Sequence, residues 1–160
     1  MKHSGFTTIE VVMVLLIVGV LAASLLPRST DKRLSIGASA DQLAGDIRYV
    51  QSLAMTQGQR YRINFAATTY SFFAVSGSVA VSHPVTGSTA AIPLAAGVTM
   101  TSFANLASNL VAFDGKGIPY TDAAATTQLA AGTNGVITLT GAGGSNTVTV
   151  YPQTGRVTTP

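Results

Sequence analysis

Gly5-Phe6-Thr7-Thr8-Ile9-Glu10-Val11-Val12-Met13-Val14-Leu15-Leu16-Ile17-Val18-Gly19-Val20-Leu21-Ala22-Ala23-Ser24-Leu25-Leu26 decides how the rest of the chain is read. From Phe6 to Leu26 it spans about 21 residues, or roughly 31 Å as a helix, which matches a bilayer core of about 30 Å. From Val11 to Leu26 it carries no charge at all. A single-pass membrane segment at the front of the chain is therefore expected at 6–26. Lys2 precedes it, and Arg28, Lys32 and Arg33 follow, so the basic flanks alone do not orient it. Both a secretory signal peptide, with Leu21-Ala22-Ala23-Ser24 as a loose cleavage site, and a plain signal anchor would use such an apolar run. Neither accounts for Glu10. A carboxylate inside a membrane costs about 2.5–3.5 kcal/mol even on the mildest insertion scale, so it is normally paired. A free amine at the same depth would pair it, and cleavage after Gly5 would create one on Phe6.

Composition sets the outer limits. The 160 residues are 47% hydrophobic and 9% charged, which excludes a highly charged disordered chain and leaves room for one domain with its own core. No cysteine is present, so disulfide scaffolds, thiolate metal sites and cysteine nucleophiles are excluded. The formal net charge of +3 is small and scattered, and does not by itself point to nucleic acid.

Gly5-Phe6-Thr7-Thr8-Ile9-Glu10 followed by the apolar run resembles the class III signal of type IV prepilins and type II secretion pseudopilins. The resemblance implies that residues 1–5 are a leader cut after Gly5 by a prepilin peptidase, and that Phe6 becomes the N-methylated new N-terminus. Glu10 would be the carboxylate that meets a neighbouring subunit's terminal amine during assembly. The leader holds one Lys and one His rather than a basic cluster, a departure from the family pattern. The implied partners are other pilin or pseudopilin subunits, the peptidase and an inner-membrane assembly platform. The implied place is the bacterial inner membrane, with the C-terminal domain in the periplasm before assembly into a filament. Physically, the apolar helix would exchange lipid for sister helices, and Glu10 would penalise slipped registers by leaving a charge unsatisfied.

Pro27 should kink or break the helix, because an interior proline removes one hydrogen bond and clashes with the preceding turn. The segment 27–58 then reads as an amphipathic continuation. Leu43, Ile47, Val50 and Ala54 recur on one face, and Gly58 supplies a stop. That stripe should lie against a globular domain at 59–160.

Beyond Gly58 the pattern becomes β. Tyr61, Ile63 and Phe65 alternate inward against Arg60, Arg62 and Asn64, and 70–75 should close a hairpin with this strand. The stretch 77–96, rich in small polar residues with Pro84 and Pro93, reads as a loop with one or two short strands. Further strands are expected at 98–103, 110–113, 135–140 and 147–151. The glycine-rich 141–146 would be the connection of a second hairpin, and 155–157 a last short strand. The fold class is α+β: a long N-terminal helix, membrane half plus amphipathic half, packed on an antiparallel β-rich domain.

Residues 45–54 running into the first strand are similar to H-type pseudopilins and FimT-like minor pilins. Phe113-Asp114-Gly115-Lys116-Gly117-Ile118-Pro119 and residues 148–157 look similar to minor pilins of the MSHA (mannose-sensitive haemagglutinin) pilus. These resemblances imply a minor subunit of an MSHA-like type IV pilus, with an H-type secretion pseudopilin as the alternative. Nothing points to an enzyme, a cofactor or a metal. Ser29-Thr30-Asp31-Lys32 matches S-x-x-K without its companion motifs. His83 before Pro84 reads as a loop residue, and Asp114-Gly115-Lys116-Gly117 reads as a tight turn, since Lys116 stands where a cation loop needs oxygen. Arg60 and Arg62, with Arg48 nearby, form a basic stripe that reads as a charge-guarded edge strand, or alternatively as a DNA contact.

Overall fold

The computed structural model describes residues 7–24 and 30–160. The leader, Phe6, Pro27 with its expected kink, and Ser29 lie outside the described residues. Helix α1 covers Thr8–Ser24 and helix α2 covers Thr30–Gln57. Strands follow in chain order: β1 (Tyr61–Phe65), β2 (Thr69–Ala74), β3 (Ile92–Pro93), β4 (Val98–Ala104), β5 (Leu110–Phe113), β6 (Pro119–Tyr120), β7 (Gly135–Gly141), β8 (Gly144–Val150) and β9 (Val157–Thr158). They form a five-stranded sheet in the order β3-β2-β1-β5-β6 and a four-stranded sheet in the order β4-β7-β8-β9. All the pairings are antiparallel. The architecture is α+β, with α2 contacting strands of both sheets.

Periodicity explains the packing. Along α2, Ile36, Ala40, Leu43, Ile47, Val50 and Ala54 are buried, spaced by alternating steps of four and three so that they fall on one face. The expected stripe is therefore present and extends two turns towards the N-terminus. Gly58 ends the helix with φ +62, a conformation that glycine adopts without steric cost. On β1, Tyr61, Ile63 and Phe65 are buried, as the alternation predicts. They pair with Ala74, Phe72 and Tyr70 on β2. The second sheet adds Val98, Met100, Ile137, Leu139, Val148, Val150 and Val157 to the same core.

Two expectations about the sheets change, while that of a loop with a short strand in 77–96 is met. Strand β1 lies between β2 and β5, so it is a central strand rather than a charge-guarded edge. The glycine-rich 141–146 is mostly strand: β7 runs to Gly141 and β8 starts at Gly144, leaving only Ala142 and Gly143 to turn. A two-residue connection favours small residues, so glycine marked the turn but not its brevity. Within 77–96 one short strand forms, β3, at the edge of β2. Strand β6 carries no sequence pattern of its own, being two residues long. With Ala125 it covers the far face of β5, so Leu110 and Ala112 are buried on that side.

Candidate functional site

Helix α1 is apolar around its whole circumference, with Glu10 in its first turn and no other charge. The backbone N–H of Glu10 donates to the carbonyl of Thr7, so the carboxylate sits where the helix begins. Ile9, Met13 and Leu15 are 72%, 64% and 65% exposed, and the other large side chains of α1 are similarly open. A helix that is hydrophobic on every side is stable only when lipid or other protein covers it. Among the described residues no helix is long and apolar enough to cross a membrane. The 17 described residues of α1 reach about 26 Å, against the 21 that the sequence pattern marks from 6 to 26. Of the assembly residues read from sequence, the structure thus places Glu10, while Gly5 and Phe6 lie outside the described part.

At the other end of the described helices, α2 is tied to the sheets by polar contacts buried beside the apolar stripe. Asp46 accepts a hydrogen bond from the Tyr70 hydroxyl through Oδ2 and faces His83 Nε2 at 3.2 Å through Oδ1. All three residues are buried. Gln42 Nε2 donates to the Tyr70 oxygen at 3.2 Å, and His83 stacks on Phe72 with ring centres 5.7 Å apart. Burial, the hydrogen bond to Asp46 and the nearby carboxylate charge push the Tyr70 hydroxyl above its usual titration range. The backbone N–H groups of Val85 and Thr86 donate to His83 Nδ1, so that nitrogen is an acceptor and Nε2 carries the proton towards Asp46. His83 is a loop residue, as the sequence reads it, and it ties the 77–96 excursion to α2. The sequence offered no sign of it, because its partner is 37 positions away. Asp46 flanks the buried stripe next to Ile47, a position where a carboxylate demands a partner.

Gln51 is a second tie that sequence reasoning missed. Its Nε2 donates to the carbonyls of Gly117 and Thr154, both at 2.9 Å, joining two distant turns to the helix. The first turn is the one expected at Asp114: its Oδ1 accepts from the N–H groups of Lys116 and Ile118, both at 2.9 Å. Among the described residues no three His, Asp or Glu side chains gather to hold a metal ion.

The arginines do not share one surface. Arg48 donates to the Val157 carbonyl at 2.9 Å, beside β9. Arg62 points to the opposite side of the five-stranded sheet from α2, over the Phe73 ring at 5.3 Å, and donates to the Ala123 carbonyl at 2.9 Å. Arg60 lies 5.9 Å from the Tyr120 ring centre. The expected grouping of Arg48 with the other two is corrected: the helix face that buries α2 carries Arg48 away from the outer face of β1.

A helix with an uncovered apolar surface, followed in the chain by a second helix that packs on antiparallel sheet, is the pilin-like fold. Within that class, residues 39–154 match the family model described as type II transport protein GspH, and the chain belongs to that family. The chain is also similar to the type IV minor pilin FimU of Pseudomonas aeruginosa strain PAO1. One crystal form gives a TM-score of 0.54 at 17% identity, covering 80% of this chain and 90% of FimU. A second form gives 0.52 at 14%, covering 78% and 91%. No curated protein sequence matches the chain.

Proposed function

We propose that this chain is a minor pilin-like subunit, inserted in the bacterial inner membrane through residues 6–26 with residues 59–160 on the periplasmic side. A prepilin peptidase cuts it after Gly5, Phe6 is N-methylated, and an inner-membrane assembly platform builds it into a type IV, MSHA-like pilus beside other pilin subunits. Its work is structural rather than catalytic. One observation carries the reading: α1 exposes apolar side chains all round and holds a single carboxylate at its start. In lipid such a helix is soluble as a monomer. In a filament the same surface meets sister helices, and Glu10 finds the methylated amine of a neighbour.

The test is the mass of the mature protein and the fate of variants in an assembling strain. The expected species begins at N-methylated Phe6, and Glu10→Val is processed but absent from sheared filaments. A mature protein with another N-terminus, or normal incorporation of Glu10→Val, overturns the reading.

The family description favours a second reading, an H-type pseudopilin of the type II secretion pseudopilus. Deletion of the gene separates the two. Loss of surface filaments with secretion intact supports the pilus, and folded cargo held in the periplasm supports the pseudopilus.

A further inference from the structure

Arg33, in the first turns of α2, faces the β7–β8 hairpin across an open groove of about 320 Å3, lined also by Ile36, Gly37 and residues 143–146. Arg33 is the one charged side chain among those lining residues. Its guanidinium and the Ser145 hydroxyl have no partner among the described residues. Asn146 uses its side-chain oxygen to accept from the Thr147 N–H at 2.7 Å, which leaves its NH2 group to donate outward. A side chain placed on Gly144 would meet nothing within 4 Å, so the groove is open beside the hairpin tip. Among the described lining residues its polar equipment is therefore a cation, a hydroxyl and an amide donor, with no carboxylate.

Chain connectivity says which anion. Arg33 follows the end of α1, Ser24, by nine residues. With residues 30–33 already in α2, the reach lies between about 14 Å, if the intervening residues are helical, and about 25 Å, if they are extended. The headgroup layer on each side of a bilayer core is about 5–7 Å thick, and an arginine carries its charge several ångströms beyond its backbone. The adjoining residues Arg28, Lys32 and Arg33 outnumber Asp31, so the chain is locally positive where it leaves the apolar run. We propose that the groove between Arg33 and the β7–β8 hairpin binds the phosphate of an anionic lipid headgroup, seating the globular domain on the membrane surface before assembly. Arg33 supplies the charge, while Ser145 and Asn146 supply hydrogen-bond donors that a flat basic patch would lack. This rests on the reading of α1 as a membrane helix.

The experiment places the full chain in nanodiscs of phosphatidylcholine alone and of phosphatidylcholine with phosphatidylglycerol, and records NMR shifts of the backbone amides of residues 143–146 and of the Arg33 side chain. Shifts confined to these groups and present only with phosphatidylglycerol are expected. Arg33→Gln should weaken the response about fivefold, and Ser145→Asp should abolish it, while circular dichroism of both variants stays unchanged. Equal shifts in both discs, or equal responses at Arg60 and Arg156, overturn the site in favour of general surface charge. Inorganic phosphate reproducing the shifts in phosphatidylcholine discs overturns the lipid as ligand. Failure of the chain to enter either disc overturns the membrane reading itself, and this site with it.

Discussion

Helices α1 and α2 share a backbone conformation and differ in the solvent they are built for. Helix α1 keeps no polar face, and its large side chains stay open. Helix α2 spends one stripe on the two sheets and leaves its remaining faces to water. Only α2 uses polar side chains as fasteners: Asp46 towards β2 and the 77–96 excursion, Gln51 towards two turns. In α1, the Glu10 carboxylate has no described neighbour to use it. The domain's core stabilises α2, while no described residue covers α1.

Apolar truncation should expose that difference most sharply. Ile47→Ala removes a fully buried side chain from the centre of the core and should cost about 2–5 kcal/mol. Leu15→Ala in α1 should leave the unfolding of the domain unchanged, and show itself only in membrane insertion or filament assembly. Denaturant unfolding of both variants in detergent checks the pair, and equal losses would mean that α1 belongs to the domain's own core.

Next in size is Asp46→Ala, which strands the Tyr70 hydroxyl and His83 Nε2 in a buried site. A loss of about 2–4 kcal/mol is expected. Hydrogen exchange of residues 80–90 should rise more than exchange in β7 and β8, because His83 holds the excursion. Uniform change would assign Asp46 no special hold on it.

Gly155→Ala probes the Gln51 fastening. Gly155 has φ +62, and an added Cβ would come within 2.5 Å of the Gly117 carbonyl and 2.9 Å of Phe113. Unfavourable backbone and overpacking together should cost about 2–3 kcal/mol. A thermal shift of the variant measures it, and an unshifted midpoint would show that the two turns separate freely.

The smallest effect is alkaline. Tyr70 titrates above its ordinary value of 10.0 in the folded protein, so the folded chain keeps a proton that the unfolded chain releases. Its contribution is complete below about pH 10 and declines as pH rises past that point, by at most about 1.4 kcal/mol per pH unit. Denaturant midpoints from pH 9 to 11 should fall more steeply in the parent than in Tyr70→Phe. Since α1 contains no tyrosine, this loss belongs to the α2 region alone.

Much of the fold was legible because its elements follow simple periods. The stripe from Leu43 to Ala54 repeats at helical spacing and the Tyr61-Ile63-Phe65 alternation at strand spacing, and each depends only on neighbours a few residues away. Strand β6 was not legible, being short and held by pairing with Ala112 and Phe113. The central place of β1 was equally hidden, since Arg60 and Arg62 look like edge protection until β2 and β5 are seen to pair with both sides of the strand. At the candidate site, Glu10 was conspicuous from the chain alone because a charge beside sixteen uncharged residues breaks the pattern. The Asp46–His83 contact was not, for nothing local to either residue names the other.

By itself, then, the sequence determined that an apolar helix bearing one carboxylate precedes an α+β domain, since hydrophobic period and composition are properties of contiguous residues. Tertiary structure alone decided how the strands divide into two sheets, which side of β1 each arginine occupies, and that a loop histidine closes on a helix carboxylate. Those outcomes depend on burial shared between residues far apart in the chain, where a polar group must find its partner or lose the free energy of its hydration.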